Sequence, residues 1–96
     1  MTARRVLVHE GIRDALSELD GWEVKEGKLC RTFTFDDFSQ AFGFMTRAAL
    51  AAEAMNHHPD WTNVWNRVEV SLSTHDLGGI STWDLELAAT LDRLAK

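Results

Sequence analysis

The chain has 96 residues, which suits one domain rather than two, and a domain of this size buries only roughly 60–65% of its unfolded surface, so its core is thin. Its 45% hydrophobic and 26% charged residues exclude a disordered or collagen-like chain. Ten Lys and Arg against 15 Asp and Glu leave a net charge of -5, which argues against a nucleic-acid partner, and the single Cys30 excludes an intrachain disulfide framework and a thiolate-rich zinc site.

Residues 1–96 are therefore expected to form a single domain. Near the N-terminus, Arg4 and Arg5 are followed by His9 and Glu10 rather than by an apolar signal core, so a soluble, cytoplasmic protein is expected. A first helix is predicted over His9 to Leu19, with Ile12, Ala15, Leu16 and Leu19 on one face and Gly11 weakening its first turn. Asp20-Gly21 stops it. Trp22 to Lys25 then alternates as a strand, Glu26-Gly27-Lys28 is a short turn, and Leu29 to Thr34 returns as the second strand of a hairpin. On that return strand Leu29, Arg31, Phe33 and Phe35 share one face, and Cys30, Thr32 and Thr34 share the other.

A second helix is predicted from Asp36-Asp37 to about Met55, capped by Asp37 with Gln40 three residues on. It carries two apolar stripes, Phe38, Phe42, Met45, Ala49 and Ala52 on one and Phe44, Ala48, Ala51 and Met55 on the other. Two stripes exceed what one small sheet covers, and Gly43, Ala48, Ala51 and Ala52 permit close helix approach, so this helix is expected to pack against another subunit as well. Its apolar run Ala48 to Ala52, the longest in the chain, falls far short of the ~20 residues of a membrane span. Asn56 to Asp60 reads as a loop, since Pro59 pushes His58 out of helical geometry. A second hairpin is predicted across Asn63 to Thr74, with its turn at Asn66-Arg67 and Val68, Val70 and Leu72 alternating inward. After a loop from His75 to Ile80, Ser81-Thr82-Trp83-Asp84 forms a capping box, and a last helix turns Leu87, Ala88, Leu91, Leu94 and Ala95 inward. The order α-β-β-α-β-β-α, with hairpins joining the strands, predicts an α+β fold: a mainly antiparallel four-stranded sheet with three helices on one face.

Three of the four histidines, His57, His58 and His75, fall in loops at element ends, where a rigid scaffold usually presents its chemistry. Histidine as a residue type exchanges protons near neutral pH. Glu53, four residues before His57, could orient a ring, and Asp76 and Asp84 lie close in sequence to His75 and could do the same. Every one of these positions also has a plainly structural reading. Asn56 suits a left-handed helix C-cap, Asp84 a helix-start acceptor, His75 a strand-end residue, Glu53 a solvated helical carboxylate, and the His-His pair a polar surface loop. His9 reads as an exposed helix-start residue. The four tryptophans read as core or interface, although one could wall a site for a flat heterocycle. Adjacent histidines diverge and make poor co-ligands, which weakens a zinc reading. Neither a G-x-S-x-G elbow nor a Walker pattern around Gly78-Gly79 is present. Residue chemistry alone stops at a small oligomeric domain suited to acid–base work.

The segment Glu53-Ala54-Met55-Asn56-His57-His58-Pro59-Asp60-Trp61, then Asn63-Val64-Trp65-Asn66, then Leu72-Ser73-Thr74-His75-Asp76, closely resembles the pterin-4a-carbinolamine dehydratase family. Asp20-Gly21-Trp22, Phe33-Thr34-Phe35, Phe44-Met45 and Gly78-Gly79-Ile80-Ser81 leading to Asp84 match in order and spacing, so the resemblance covers nearly the whole chain. It implies a domain that dimerises through joined sheets and tetramerises through a helix bundle. It also implies dehydration of 4a-hydroxytetrahydropterin, as in 4a-hydroxytetrahydrobiopterin, to quinonoid dihydropterin and water. That reaction recycles the cofactor of aromatic amino acid hydroxylases and uses no metal or organic cofactor.

By position, the resemblance makes His57, His58 and His75 the acid–base histidines. It places Asn56, Ser73, Thr74 and Asp76 with those histidines in the substrate pocket, and Glu53 and Asp84 as acidic supports. Trp65 stands where the family often has tyrosine, and Asp76 where glutamate also occurs. Animal members also act as a dimerisation cofactor of a homeodomain transcription factor. A protein-binding or regulatory module, or a dehydratase for another pterin such as one tied to molybdenum cofactor metabolism, is therefore the rival expectation.

Overall fold

The computed structural model describes residues 9–96, so the expectations for the first eight residues lie outside it, as does any reading of the His9 side chain. The element order is α1 (His9–Leu16), β1 (Glu23–Lys25), β2 (Lys28–Thr34), α2 (Phe38–Met55), β3 (Asp60–Val64), β4 (Arg67–Leu72), a single 3-10 turn (His75–Leu77) and α3 (Thr82–Leu94). This is the expected α+β order. All strand pairs are antiparallel, in the spatial order β1-β2-β4-β3. The helices lie against one face, where Leu29 and Phe33 of β2 and Val68, Val70 and Leu72 of β4 meet Phe44, Leu87 and Leu91. The Phe44 ring sits 4.9 Å from Phe33 and 5.0 Å from Phe35.

Local chemistry accounts for most boundaries. The β1–β2 turn is two residues long, with Glu26 and Gly27 both at positive φ, as a tight hairpin of right-handed strands requires. Trp22 donates its indole N–H to Asp92 of α3, and Arg31 pairs with the same carboxylate at 2.8 Å, so the hairpin is fastened to the last helix. Arg31 crosses close over Gly21, where an added Cβ would lie 3.0 Å from its guanidinium. Asp37 caps α2 by accepting the Gln40 amide, and Ser81 and Asp84 form the complete capping box of α3.

Two boundaries differ from expectation. The first helix ends at Leu16 and finishes in turns through Leu19 rather than as regular helix. The second hairpin starts at Asp60, and its turn is Trp65-Asn66 rather than Asn66-Arg67. Trp65 takes φ 50°, which is costly for an aromatic residue. Asn63 holds it there by donating its amide to the carbonyls of Trp65 and Arg67, while Asn66 exchanges bonds with the Phe35 backbone.

The first predicted stripe of α2 is split, since Met45 and Ala52 pack on the core together with the second. Ala41, Phe44, Ala48 and Ala52 are buried on the sheet, whereas Phe38, Phe42, Ala49 and Leu50 face outward, with the Phe38 and Phe42 rings 5.7 Å apart. Among the described residues no helix is long and apolar enough to cross a membrane.

Candidate active site

The site forms where α2 ends, β4 ends and α3 begins. Asn56 closes α2 in the left-handed conformation, φ 53°, and its amide bonds back to Ala52 and Glu53. That reversal, followed by Pro59, sends His57 and His58 in different directions. His57 turns inward and is buried. Its Nε2 lies 2.5 Å from Asp84 Oδ1, and its ring meets Trp83 edge-on at 5.7 Å. His58 turns outward, 2.8 Å from Glu53 on the last turn of α2. β4 then delivers Ser73 and Thr74, and the 3-10 turn presents an exposed His75 and Asp76 before Gly78 reverses the chain at φ 73°.

These residues enclose one hollow of about 280 Å³, lined by Asn56, His57, His58, Ser73, Thr74, His75, Asp76 and Trp83. That volume lies near the lower end of small-ligand pockets. A shallower depression of about 220 Å³, beside the β1–β2 turn and Gly78-Gly79, shares Ser73, Thr74 and His75 with it. The structure thus gathers every residue expected in the substrate pocket. Glu53 and Asp84 stand behind it, each against one histidine. The Asp84 pairing differs from the suggestion that it might orient His75, because the fold brings it 27 residues back to His57. Thr74 borders the hollow, but its hydroxyl is engaged by Asp84 and Ser81.

The two acid–histidine pairs have unlike surroundings. The His57 and Asp84 side chains are 8% and 0% exposed, whereas those of His58 and Glu53 are 56% and 80% exposed. Asp84 is also fully satisfied, with the Ser81 amide and Thr74 hydroxyl donating to its second oxygen at 2.8 and 2.9 Å. A buried carboxylate with this many donors is a fixed acceptor, so it orients the ring it touches. Among the described residues no three of His, Cys, Asp and Glu converge as a metal cluster. Trp83 and Ser81 were absent from the expected site residues. The only signals for them were the capping-box pattern and the general aptitude of tryptophan for flat ligands.

Fold and hollow together define a small α+β pocket protein, with three imidazoles grouped around a cleft for a compact ligand. The chain belongs to the pterin 4 alpha carbinolamine dehydratase family, whose model matches residues 5–94. Similar proteins, provisionally named pterin-4-alpha-carbinolamine dehydratase, occur in Solibacter usitatus, 60% identical over 88% of both chains, and in Synechococcus sp., 54% identical over 92% of this chain and 96% of the relative. A crystal structure described as a transcriptional coactivator/pterin dehydratase from Brucella melitensis superposes with a TM-score of 0.92 at 42% identity, covering 96% of this chain and all of that one. A pterin dehydratase-like protein described as a RuBisCO assembly factor in the alpha-carboxysome superposes with a TM-score of 0.64 at 25% identity, over 77% of this chain and 86% of that one.

Proposed function

We propose that the chain dehydrates 4a-hydroxytetrahydropterin, with 4a-hydroxytetrahydrobiopterin as the reference substrate, to quinonoid dihydropterin and water. The observation that carries this reading is the meeting of His57, His58 and His75 around one hollow, two of them backed by carboxylates. Hydroxide leaves C4a poorly. An imidazolium that protonates the oxygen lets it depart as water, while a neutral imidazole takes the N5 proton and the C4a–N5 double bond forms. One proton is given, one is taken, and no oxidant is involved. Each positioned transfer is worth about 10²–10⁴-fold. His75 and one of the His57–His58 pair take the two roles, and the remaining histidine binds the pterin or serves its opposite face. Asn56, Ser73 and Asp76 offer polar contacts to the ring edge, and Trp83 offers an apolar wall.

In this reading the protein is cytoplasmic and recycles the pterin cofactor of an aromatic amino acid hydroxylase. It works as a homodimer or homotetramer, with the exposed Phe38–Phe42 stripe of α2 covered by a second copy. The test is a stopped-flow absorbance assay on freshly generated 4a-hydroxytetrahydropterin, scored above the spontaneous rate. Acceleration by the wild type that is lost in His75→Ala supports the assignment, and a fully active His75→Ala variant sinks it.

The same exposed stripe favours a second reading, a protein-binding module, in keeping with the pterin dehydratase-like protein of the same fold that is described as a RuBisCO assembly factor. No acceleration by the wild type, together with a stoichiometric partner lost in Phe42→Glu, would establish it instead.

A further inference from the structure

Every hydrogen around the buried Asp84 can be assigned. The Ser81 amide and the Thr74 hydroxyl both donate to Oδ2. A carboxylate oxygen only accepts, so its short contact with His57 requires the imidazole hydrogen to sit on Nε2. Thr74 has one hydroxyl hydrogen, already given to Asp84, so the 2.6 Å bond between Thr74 and Ser81 is donated by Ser81. Ser81 Oγ in turn accepts the Trp83 amide at 3.2 Å. The relay therefore points one way, from Trp83 N–H through the Ser81 and Thr74 hydroxyls to Asp84, which receives the His57 ring. Thr74, Ser81 and Asp84 are sealed from solvent, so water does not compete for these bonds. Nδ1 of His57 makes no hydrogen bond among the described residues and, unlike Glu86 Oε2, is not shut off from solvent. The ring that carries it lines the hollow.

We propose that Thr74 and Ser81 are positioning residues. Their hydroxyl relay locks Asp84 so that His57 keeps Nε2–H inward and exchanges protons with the bound ligand through Nδ1 alone. Neither hydroxyl meets the reacting atoms, and both act through the carboxylate. The α3 N-cap thereby holds a helix end and a histidine tautomer at once. The tautomer claim stands on the geometry, and only its turnover consequence rests on the dehydratase reading.

The test uses the full chain labelled with 15N-histidine in mildly alkaline buffer, where protonated and lone-pair ring nitrogens resonate far apart. The wild type is expected to show a single Nε2–H tautomer for His57. Thr74→Val keeps the shape and removes the hydroxyl; released at Oδ2, the carboxylate is expected to turn part of the time off His57 Nε2, and a mixture of both tautomers follows. Thr74→Ser restores the hydroxyl and the single tautomer. In the dehydration assay Thr74→Val is expected to lower kcat roughly tenfold, the lower end of what outer partners of functional imidazoles are worth. KM should stay within about twofold, and Thr74→Ser should recover the rate. Should the valine variant not fold, Ser81→Gly removes the first hydroxyl while keeping a residue favoured at helix caps, and the same mixture is expected. A single Nε2–H tautomer in either hydroxyl-free variant, or an Nδ1–H wild type, overturns the proposal. Tautomer mixing in a chain without dehydratase activity would uphold the relay and refute the enzyme reading.

Discussion

Replacing His57 or His58 by alanine is expected to impair turnover in both cases and to cost stability in only one. Removing the His57 ring strands the Asp84 carboxylate, which is 0% exposed, opposite an empty space. Breaking a buried pair in this way costs about 3–5 kcal/mol. The Ser81 amide and Thr74 hydroxyl still serve the other carboxylate oxygen, so the lower figure applies. A domain of this length has roughly 5–14 kcal/mol in all. At about 4–8 °C per kcal/mol, His57→Ala should lower Tm by roughly 12–24 °C. The His58–Glu53 pair is 56% and 80% exposed, and such surface pairs contribute about 0–1 kcal/mol. Its loss leaves Glu53 in water, and His58→Ala should melt within about 8 °C of the wild type. Thermal unfolding followed by circular dichroism measures both, with turnover read well below the lower Tm so that lost activity is not lost fold. Equal destabilisation by the two substitutions would refute the claim that neighbouring imidazoles occupy opposite environments.

Trp83→Ala should raise KM for the pterin more than it lowers kcat, because the indole lines the hollow as a wall; an unchanged KM removes it from the binding surface. Phe42→Glu places a charge on the outward stripe of α2 and should shift the chain toward monomer in multi-angle light scattering while preserving its circular dichroism spectrum. An unaltered mass would show that this stripe is not the contact. Asn56→Gly should keep the stability within about 1 kcal/mol of wild type, since glycine accepts positive φ, whereas Asn56→Val should cost more than about 1 kcal/mol. Comparable melts for the two would mean that the left-handed cap is not what closes α2.

What the sequence made legible was local. Alternation exposed the inward rows of β2 and β4, and short-range caps marked the starts of α2 and α3 at Asp37 and Ser81. The turn at Trp65-Asn66 was not legible, because an aromatic residue at positive φ is no turn signal. It is held by side-chain bonds from Asn63 that no local pattern announces. The roster of pocket residues followed from family resemblance, but their partnerships did not. Glu53 bonds the second histidine of the pair because Asn56 reverses the chain, and Asp84 finds His57 only through the packing of α3 against the end of α2. How the apolar positions of α2 would divide between core and surface was equally hidden, since both predicted stripes carry apolar residues of similar size.

Glu53 rides on α2 and Asp84 on α3, so each of the two adjacent imidazoles is tethered to a different helix. The spacing of the rings is consequently a gauge of how those helices sit on one another. Both residues follow the end of α2 through the backbone, where the His57 amide bonds to Ala52, but the His57 ring is held from α3 as well. Two residues joined by one peptide bond thus report on separate parts of the scaffold.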